Sequence, residues 1–508
     1  MMARLLQLPL IVILMGISAL AMLLPAAHGA ATQDFVSMRA FFYSALILLI
    51  VAGFGGIATA GYQVRRQARS HLITLVVAYT LLPVLLAIPF HEAVRNTSFL
   101  NAYFEMVSAI TTTGATLFDE PARLSHSVHL WRALVGWMGG FLAWVTAIAI
   151  MAPLSLGGFE VLASSGIGRG ASVPTPIHKV ADASERLTRY ASKLFPIYAG
   201  LTLVLWIALL VLGDSAFVAL CHAMSTMATS GISPVGGLQG EGAGSGYVGE
   251  ALICMFLVFA LSRQTFTTDS GVDGRNALLS DPEFRLGLAL VIGLPILLFL
   301  RHWVGAYELA EQQDIAGAAR ALLGGVFMVM SFLTTAGFES AAWGEVRLWS
   351  GLQTPGLLLL GLAIFGGGVA TTAGGVKLLR VYALYRHGQR ELEKLVHPSS
   401  VGGSGASARR MRRQGAYVAW IFFMLFALSL AGVMLALALL DTSFQDAAVL
   451  SIAALSTTGP LASLASDAPI SYGALHDGAK MILAATMVLG RLEMLVIIAF
   501  LNPAFWRQ

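Results

Sequence analysis

The sequence predicts an all-α polytopic membrane protein in which two N-terminal helices precede four pore-loop repeats. The first observation is composition: 57% of the 508 residues are hydrophobic and only 11% are charged, whereas a soluble domain carries about 25% charged residues. The second is the length of the apolar runs, which suits helices of roughly 20 residues rather than the alternating strands of an outer-membrane barrel. The third is one Thr/Ser-Gly pattern that recurs four times. The chain has room for about ten transmembrane helices and four shorter re-entrant pore helices.

Two apolar runs make up the N-terminal region, residues 1–62. The first covers residues 5–27 and follows a single charge, Arg4. It is longer than the apolar core of a secretory signal, about 7 to 15 residues, so a retained transmembrane helix is favoured and a cleaved signal is the alternative. The second run covers residues 36–60 and ends at a cluster of arginines. We therefore predict two transmembrane helices before the first repeat.

From residue 70 onwards the chain repeats one plan: a long apolar helix, a short amphipathic helix, a Thr/Ser-Gly loop and a second long apolar helix. Successive loop glycines lie between 106 and 122 residues apart, which indicates an internal repeat. The repeats are predicted at residues 70–160, 190–265, 284–390 and 414–508. Their long helices are predicted near residues 72–90 and 130–154, 194–213 and 248–262, 286–304 and 354–385, and 415–440 and 476–500. The loops read Thr112-Thr113-Gly114, Thr229-Ser230-Gly231, Thr335-Ala336-Gly337 and Thr457-Thr458-Gly459.

Basic residues mark one side of the predicted membrane domain. They cluster between the repeats, whereas the segments that carry the loops hold acidic residues such as Asp119 and Glu241. By the positive-inside rule the basic segments and both termini are cytoplasmic, and all four loops enter from the outside. The formal charge of +4 is therefore topological and excludes a nucleic-acid role. The basic segments contain Arg65, Arg66 and Arg69; Arg169, Lys179, Arg186 and Arg189; Arg263, Arg275 and Arg285; and Lys377, Arg380, Arg386, Arg390, Lys394, Arg409, Arg410, Arg412 and Arg413.

Residues 391–413 are predicted to form a basic cytoplasmic linker that is also rich in Gly and Ser. Within it, residues 402–405 match the GxSG sequence of intramembrane serine proteases, but a polar linker beside an arginine cluster cannot bury a nucleophile. The chain has no HExxH zinc motif and no P-loop. Its two cysteines, Cys221 and Cys254, lie in apolar stretches. The sequence therefore indicates neither an enzyme nor a disulfide framework nor a thiolate zinc site.

Four non-helical loops at membrane depth indicate an ion pathway. Backbone that leaves helical geometry there is tolerated where it lines a polar pathway or is buried in protein. Rings of carbonyls can replace the water shell of a monovalent cation. Glycine permits the backbone conformations that aim successive carbonyls at one axis, and threonine is a stiff, β-branched neighbour with a hydroxyl group. The short helices would point the negative ends of their dipoles towards the centre of a pseudo-fourfold pore. Because the loops hold no carboxylate cluster, monovalent cations are favoured over divalent ones.

Four stretches of sequence carry a resemblance to a known family. They are residues 104–116, FEMVSAITTTGAT; 225–231, STMATSG; 366–377, GGGVATTAGGVK; and the ending GRLE at 490–493 with PAFWR at 503–507. In these stretches the chain resembles the Trk/Ktr/HKT superfamily of potassium transporters, and specifically its bacterial Trk-type membrane subunit. The resemblance covers nearly the whole chain.

The resemblance implies four M1-P-M2 repeats around one pore, a homodimer in the bacterial inner membrane, and potassium entry driven mainly by the membrane potential. It also implies a cytoplasmic nucleotide-binding regulatory subunit of the Trk A type, so a nucleotide is expected on that partner and no cofactor on this chain. The twelve loop residues would form the selectivity filter and bind potassium. In this family a glycine in every loop accompanies potassium preference, and all four are present. Two residues depart from the pattern: Ala336, where a hydroxyl or small polar residue is expected, and Ser230, which replaces glycine or threonine.

The second helix of repeat 3 is interrupted by glycines, each of which costs about 1 kcal/mol in a helix interior. Such a density of glycine would break the helix, although close helix packing through small residues is an alternative. The resemblance favours an intramembrane gating loop below the filter. This loop would contain Gly366, Gly367, Gly368, Thr371, Thr372, Gly374, Gly375 and Lys377.

Arg491 lies in the last apolar helix, and a charged residue inside the membrane indicates a functional role. The matching arginine in the family lines the pore, so we expect Arg491 to be a barrier that repels a resident cation. The alternative is a structural ion pair with Glu493 or Glu105. Glu105 and His222 fall in short pore helices, where each is expected either to be buried with a backbone partner or to shape the field at the outer mouth.

The sequence therefore predicts that the protein is not an enzyme and that it takes up potassium across the inner membrane through a four-loop filter. An intramembrane gate would be controlled by the cytoplasmic regulatory subunit. The alternative is a sodium-permeable or proton-coupled monovalent-cation symporter. No pair of buried carboxylates that would mark a proton relay is recognisable in the sequence.

Overall fold

The computed structural model describes residues 9–59, 67–153, 157–161, 183–266, 278–306, 315–350, 352, 354–397, 415–466 and 468–493. Every regular element within these residues is a helix. Seven helices in the described ranges are long and apolar enough to cross a membrane: Leu10–Ala31, Phe35–Thr59, Ile73–Ala93, His126–Met151, Arg186–Val211, Pro282–Arg301 and Gly415–Ala438. This architecture confirms the all-α polytopic fold class that the composition predicts.

The N-terminal region contains α1 (Leu10–Ala21), α2 (Leu23–Ala31) and α3 (Phe35–Thr59). Helices α1 and α2 follow one another across Met22 and form one of the candidate spans, and α3 forms the next. Both α1 and α2 pack along α3. The region is therefore a pair of antiparallel apolar spans.

The helices of the four repeats follow in chain order. Repeat 1 contains α4 (Gln67–Thr80), α5 (Leu82–Ala93), α6 (Phe99–Ile110) and α7 (His126–Thr146). Repeat 2 contains α8 (Ala183–Val211), α9 (Ala216–Ala228) and α10 (Gly246–Leu257). Repeat 3 contains α11 (Pro282–Ala306), α12 (Ile315–Leu333), α13 (Trp343–Ser350), α14 (Gly356–Phe365) and α15 (Leu378–Val396). Repeat 4 contains α16 (Gly415–Ala438), α17 (Phe444–Leu455), α18 (Leu461–Leu464) and α19 (Asp477–Leu492).

The helix expected at 354–385 is two helices, because residues 366–377 leave helical geometry between α14 and α15. Helix α15 then continues to Val396, so the first six residues of the expected linker 391–413 are helical. Residues 398–413 of that linker, with its GGSG sequence and arginines, lie outside the described residues. So do Arg65, Arg66, Arg169, Lys179, Arg275 and the PAFWR sequence at 503–507.

Three of the pore helices, α6, α9 and α17, are too short to cross the membrane. They have 12 or 13 residues, or roughly 20 Å at 1.5 Å per residue, against about 30 Å of hydrocarbon. Each begins at a serine whose hydroxyl accepts a hydrogen bond from an amide three residues on: Ser98 (3.2 Å), Ser215 (3.4 Å) and Ser443 (3.1 Å). The serine caps satisfy first-turn amides, and each helix ends inside the protein.

The long second helices of the repeats pack closely on the ends of the pore helices. A Cβ atom built on Gly139 of α7 would overlap the carbonyl oxygen of Ile110, the last residue of α6. At the equivalent place in repeat 4, a Cβ on Gly490 of α19 would overlap the carbonyl oxygen of Leu455, the last residue of α17. The backbones of these helices therefore touch where the pore helices of repeats 1 and 4 end.

Candidate functional site

The chain leaves helical geometry in the same way at four places, which we call loops 1 to 4: residues 112–114, 229–231, 335–337 and 457–459. The first residue of each loop has a φ between 50° and 56°: Thr112, Thr229, Thr335 and Thr457. This left-handed conformation is rare for β-branched residues and costs about 1–3 kcal/mol per residue. Four equal outliers at equivalent positions indicate a conformation that the surrounding structure imposes for a functional reason.

The second residue of each loop makes the same backbone hydrogen bond. Its amide donates over 2.8 to 3.0 Å to the carbonyl oxygen five positions earlier: Thr113 to Ser108, Ser230 to Ser225, Ala336 to Ser331 and Thr458 to Ala453. In loops 1 and 3 a serine hydroxyl also donates to a carbonyl beyond the glycine, from Ser108 to Ala115 (2.7 Å) and from Ser331 to Phe338 (2.8 Å). The loops are therefore folded back over the last turns of their pore helices, whose carbonyls need partners.

The loop glycines bring the backbones of neighbouring loops into contact. A Cβ atom on Gly114 would overlap the carbonyl oxygen of Ser230 in loop 2. One on Gly231 would overlap the carbonyl oxygen of Ala336 in loop 3. Both glycines also have a positive φ, 72° and 65°. Only a residue without a Cβ meets both conditions, the close approach and the left-handed backbone.

Loops 3, 4 and 1 complete the same sequence of contacts. A Cβ on Gly337 would come within 3.0 Å of the ring of Pro460, which directly follows loop 4. A Cβ on Gly459 would overlap the backbone of Ala115, which directly follows loop 1, and the Gly459 amide donates to the carbonyl oxygen of Thr113 over 2.6 Å. Each glycine contacts the next loop in the order 1, 2, 3, 4, 1, so the four loops form a closed ring.

The ring opens on one side into a cavity of about 470 Å³, which is lined by all four loop glycines and by the acidic residues Asp119 and Glu339. At the other side, segment 366–377 contacts loops 2, 3 and 4. A space of only about 30 Å³, with room for one or two water molecules, lies beside this segment and is lined by Gly374 and Arg491 among others. A pathway through the ring is therefore open at one end and closed by the segment at the other.

The closed end is filled by residues 366–377, which connect α14 to α15. The Lys377 amide donates to the carbonyl oxygen of Phe365 (3.0 Å), which ties the two ends of the segment together. Gly366 and Gly375 cross at this base, where a Cβ on Gly375 would come within 2.6 Å of the Gly366 Cα. The glycines that interrupt the expected helix thus permit a compact, buried loop.

The tip of this segment is bonded directly to the ring. The Thr229 hydroxyl of loop 2 donates to the Thr372 hydroxyl (3.1 Å), and the Gly374 amide donates to the Thr335 hydroxyl of loop 3 (2.7 Å). The Lys377 ammonium bonds a carbonyl of the same segment. The corresponding threonine hydroxyls of loops 1 and 4 are buried without a hydrogen-bond partner in the described part of the chain. Segment 366–377 therefore uses two of the four inner threonine hydroxyls.

The opposite side of the segment is anchored to repeats 2 and 3. The Gly368 amide donates to the carbonyl oxygen of Ala260 (2.8 Å), and the Val369 amide donates to the Glu283 carboxylate (2.9 Å). Glu283 and the nearby Asp281 are both buried. They form a buried carboxylate pair that the sequence did not reveal.

Arg491 contacts the segment rather than a carboxylate. Its Nη1 donates to the carbonyl oxygen of Thr372 (2.6 Å), and its Nε and Nη2 are buried without a hydrogen-bond partner among the described residues. Glu493 pairs instead with Arg380 (2.7 Å). The ion pairs of Arg491 with Glu493 and with Glu105, suggested from the sequence, are therefore not formed, because Glu105 pairs with Arg132.

Glu105 in α6 holds the chain just beyond loop 1. Its carboxylate accepts hydrogen bonds from the Leu117 amide (2.6 Å) and the Thr116 hydroxyl (2.8 Å) and forms a 2.9 Å ion pair with Arg132 of α7. The two ionic side chains are 1% and 7% exposed. Removing one partner from such a buried pair costs about 3–5 kcal/mol. Glu105 is therefore a fully partnered group behind the ring.

His222 in α9 holds the chain beyond loop 2. Its Nε2 lies 3.0 Å from the Ser233 hydroxyl, and its Nδ1 lies 4.0 Å from the Asp214 carboxylate. Burial alone would raise the pKa of Asp214, but the neighbouring His222 and the Ser245 amide hold this pKa below its usual value. The aspartate is therefore ionised at neutral pH beside the buried imidazole.

Sequence reasoning missed Arg132, Glu250 and Glu283. Arg132 and Glu250 lie inside the otherwise apolar helices α7 and α10, and Glu283 lies in the first turn of α11. The rule that a charge in an apolar span has a function or a partner identifies such residues when it is applied to every helix.

Comparison with known proteins identifies the family. The model of the TrkH family, described as a cation transport protein, matches residues 37–236 and 266–507. The chain belongs to the TrkH family. It is 30% identical over 450 residues to the Trk system potassium uptake protein TrkH of Salmonella typhimurium, covering 87% of each chain, and 28% identical to TrkG of Escherichia coli, covering 93% and 92%. The crystal structure of the potassium transporter TrkH from Vibrio parahaemolyticus covers 100% of both chains with a TM-score of 0.82 at 25% identity.

These matches confirm that the chain is a multi-pass membrane protein of the Trk type. They cover the ring, segment 366–377 and Arg491 within one family model. The TrkH family model also extends over the C-terminal residues to 507, beyond the last described helix.

We predict that Gly114→Ala abolishes cation flux and leaves membrane insertion intact. The added Cβ would displace the Ser230 carbonyl oxygen, and the alanine would also have to adopt a positive φ. Loops 1 and 2 therefore cannot keep their contact. Gly53→Ala is the matched control, because nothing lies within 4 Å of its Cβ position in α3. The measurement is rubidium uptake normalised to the amount of protein in the membrane. Uptake by Gly114→Ala equal to that of Gly53→Ala would contradict the ring.

Proposed function

We propose that the chain takes up potassium across the bacterial inner membrane as the conducting subunit of a Trk system. The observation that carries the proposal is the closed ring of four glycine loops between an open cavity and a sealed segment. The relatives named above are potassium uptake proteins rather than enzymes, which supports potassium as the transported ion. The proposal keeps the organisation expected from the sequence, two N-terminal helices followed by four repeats.

Loops 1 to 4 would be the selectivity filter. A ring of backbone carbonyls can replace the water shell of a monovalent cation, whereas a divalent site needs carboxylates, which none of the twelve loop residues carries. Ala336 and Ser230 depart from the family pattern, but both keep the backbone hydrogen bond that the loops share. Neither departure removes a carbonyl ligand. A potassium preference is therefore compatible with these two residues.

The large cavity would face the outside. Asp119 and Glu339 line it, and the arginine in its lining, Arg132, is paired with Glu105; negative charge in a cleft raises the local concentration of cations. With the basic segments inside, both termini would be cytoplasmic. An inside-negative membrane potential contributes about 2.3 kcal/mol per elementary charge per 100 mV, which drives uptake without a chemical reaction on this chain.

Segment 366–377 would be the gate, held here in its closed position. Opening requires it to break the bonds of Thr372 and Gly374 to the ring and the bond of Arg491 to Thr372. A cytoplasmic regulatory subunit of the Trk A type would drive this movement and would carry the nucleotide. Helix α15 directly follows the gate and exposes basic residues such as Arg386, which suits it to transmit that movement. The homodimer implied by the resemblance is part of the same proposal.

A sodium-permeable or proton-coupled symporter is the second candidate, and the buried pair Asp281 and Glu283 favours it. One oxygen of Glu283 holds the Val369 amide, and the other has no hydrogen-bond partner in the described residues. A proton bound there would change the charge beside the gate. However, neither carboxylate lines the large cavity or the small space beside segment 366–377, so potential-driven uptake is the better-supported function.

Rubidium uptake by a host that lacks its own potassium uptake systems tests the proposal. We expect the chain, expressed with its regulatory subunit, to restore growth at low potassium and to take up rubidium, with little competition from sodium. Uptake should follow the membrane potential and persist when the pH gradient alone is removed. Loss of uptake with the pH gradient would favour the symporter. Absence of both rescue and flux would reject transport by this chain.

We predict that Arg491→Ala raises the rate of rubidium uptake and leaves the preference for rubidium over sodium unchanged. The substitution removes a positive charge below the ring and a hydrogen bond to the closed gate, so a change of roughly tenfold is expected. Arg95→Ala is the control, because this arginine is exposed between α5 and α6 and lies outside both the gate and α15. The measurement is initial uptake without and with the regulatory subunit. Unchanged kinetics would exclude a barrier role for Arg491.

A further inference from the structure

In repeats 1 to 3, the residue nine positions before the loop glycine bonds the chain just beyond that glycine, and the equivalent position in repeat 4 is a leucine. These residues are Glu105, His222, Met328 and Leu450. Glu105 and His222 each bond the segment beyond their own loop with a strong polar group. The equivalent residues of repeats 3 and 4 are apolar, so loops 3 and 4 need another source of support.

Beyond loop 3, the residue in this position gives only weak support. The Met328 sulfur accepts a hydrogen bond from the Ser340 amide at 3.3 Å, and a thioether is a weak acceptor. The strong acceptor comes from repeat 2 instead. The Glu250 carboxylate of α10 accepts from the Ser340 hydroxyl and from the Ala341 amide, both at 2.6 Å. Glu250 thus takes the place that Glu105 has behind loop 1, but it acts across the boundary between repeats.

Glu250 is nearly fully buried, with 5% of its surface exposed. No lysine, arginine or histidine forms an ion pair with it among the described residues. A buried carboxylate without a cation is costly unless hydrogen bonds stabilise it. Both of its oxygens are used on the same short stretch of chain, and bonds of this length to a charged acceptor are strong. The hydrogen bonds that stabilise the Glu250 carboxylate therefore also fix Ser340 and Ala341 in place.

The stretch that Glu250 holds is continuous with loop 3. Ser340 lies three residues after Gly337, and between them the Phe338 carbonyl accepts from the Ser331 hydroxyl (2.8 Å). The Phe338 ring contacts the His222 ring edge-to-face at 6.0 Å between centroids. Loop 3 is thus fixed at its start by α12 and at its far end by Glu250. If the far end is released, loop 3 keeps only its attachment to α12, which holds the Ala336 carbonyl, against which Gly231 packs, less firmly in place.

We infer that Glu250 is a positioning residue for ion selectivity: it fixes loop 3 from the neighbouring repeat. The inference rests on the proposed function, in which the ring is the filter. Glu250 touches no ion, and it acts through Ser340 and Ala341. A filter that separates ions by the spacing of its carbonyls needs each loop held on both sides. Loss of Glu250 should therefore lower discrimination before it lowers the amount of folded protein.

The test compares Glu250→Ala, Glu250→Gln and Ser340→Ala with Glu241→Gln, a matched control in the exposed loop before α10. The readouts are membrane content, KM and Vmax for rubidium uptake, and the sodium concentration that halves uptake. We expect Glu250→Ala to lower the rubidium-over-sodium preference about tenfold, as two hydrogen bonds to a charged acceptor are lost. Glu250→Gln keeps one acceptor oxygen and should lie between Glu250→Ala and the wild type. Ser340→Ala removes one of the two bonds to Glu250, together with the bond that the hydroxyl accepts from the Ala342 amide (3.1 Å), and should change the preference in the same direction.

The outcomes separate this inference from the proposed function. If the wild type takes up rubidium but none of the inserted variants changes its sodium sensitivity, Glu250 is merely structural and the inference is wrong. If Vmax and membrane content fall but the sodium sensitivity does not change, Glu250 is likewise merely structural and the inference is wrong. If Glu250→Ala fails to insert into the membrane, the sodium sensitivity of Glu250→Gln and Ser340→Ala tests the inference instead. If the wild type itself takes up no rubidium, the proposed function fails first.

Discussion

Each loop glycine packs against the next loop or the residue that follows it, and these four contacts, which close the loops into a ring, constrain most of the membrane domain. Gly114 and Gly231 each meet a carbonyl oxygen of the next loop, so the loops cannot move apart or turn independently. The pore helices must then end at one depth, whether they have 12 or 13 residues, as α6, α9 and α17 do, or 19, as α12 does. The second helices must also approach closely, which Gly139 and Gly490 permit. Positions far apart in the sequence thus require glycine for one shared reason.

A ring of this kind is strained, and buried polar side chains stabilise it. Four threonines adopt left-handed backbone at about 1–3 kcal/mol each. Glu105 and Glu250 bond the chain beyond loops 1 and 3, His222 does so beyond loop 2, and the Tyr472 hydroxyl donates to the Gly459 carbonyl of loop 4 (3.0 Å). Each loop therefore has a different supporting side chain although its backbone is the same. Fourfold geometry is kept by the backbone, and the side chains have diverged around it.

The sequence predicted those features that depend on local residues and on spacing. The loops were recognisable because Thr/Ser-Gly recurs at near-constant intervals, and the interruption at 366–377 because of its glycines. The partners of charged residues were not recognisable, since Arg380 and Glu493 are 113 positions apart and Glu250 and Ser340 are 90 apart. Arg491 shows the same limit: its two acidic neighbours in the sequence argument pair with other residues. Contacts between repeats depend on how the four units assemble, which no single repeat encodes.

The central claim is that the ring binds and selects monovalent cations. An experimental structure of the protein grown in rubidium, with an anomalous difference map, tests it most directly. The account predicts peaks on the axis of the ring, enclosed by loops 1 to 4 and lying between the large cavity and segment 366–377. An ordered ring without such peaks, or rubidium found only beside carboxylates such as Glu283, would contradict the account.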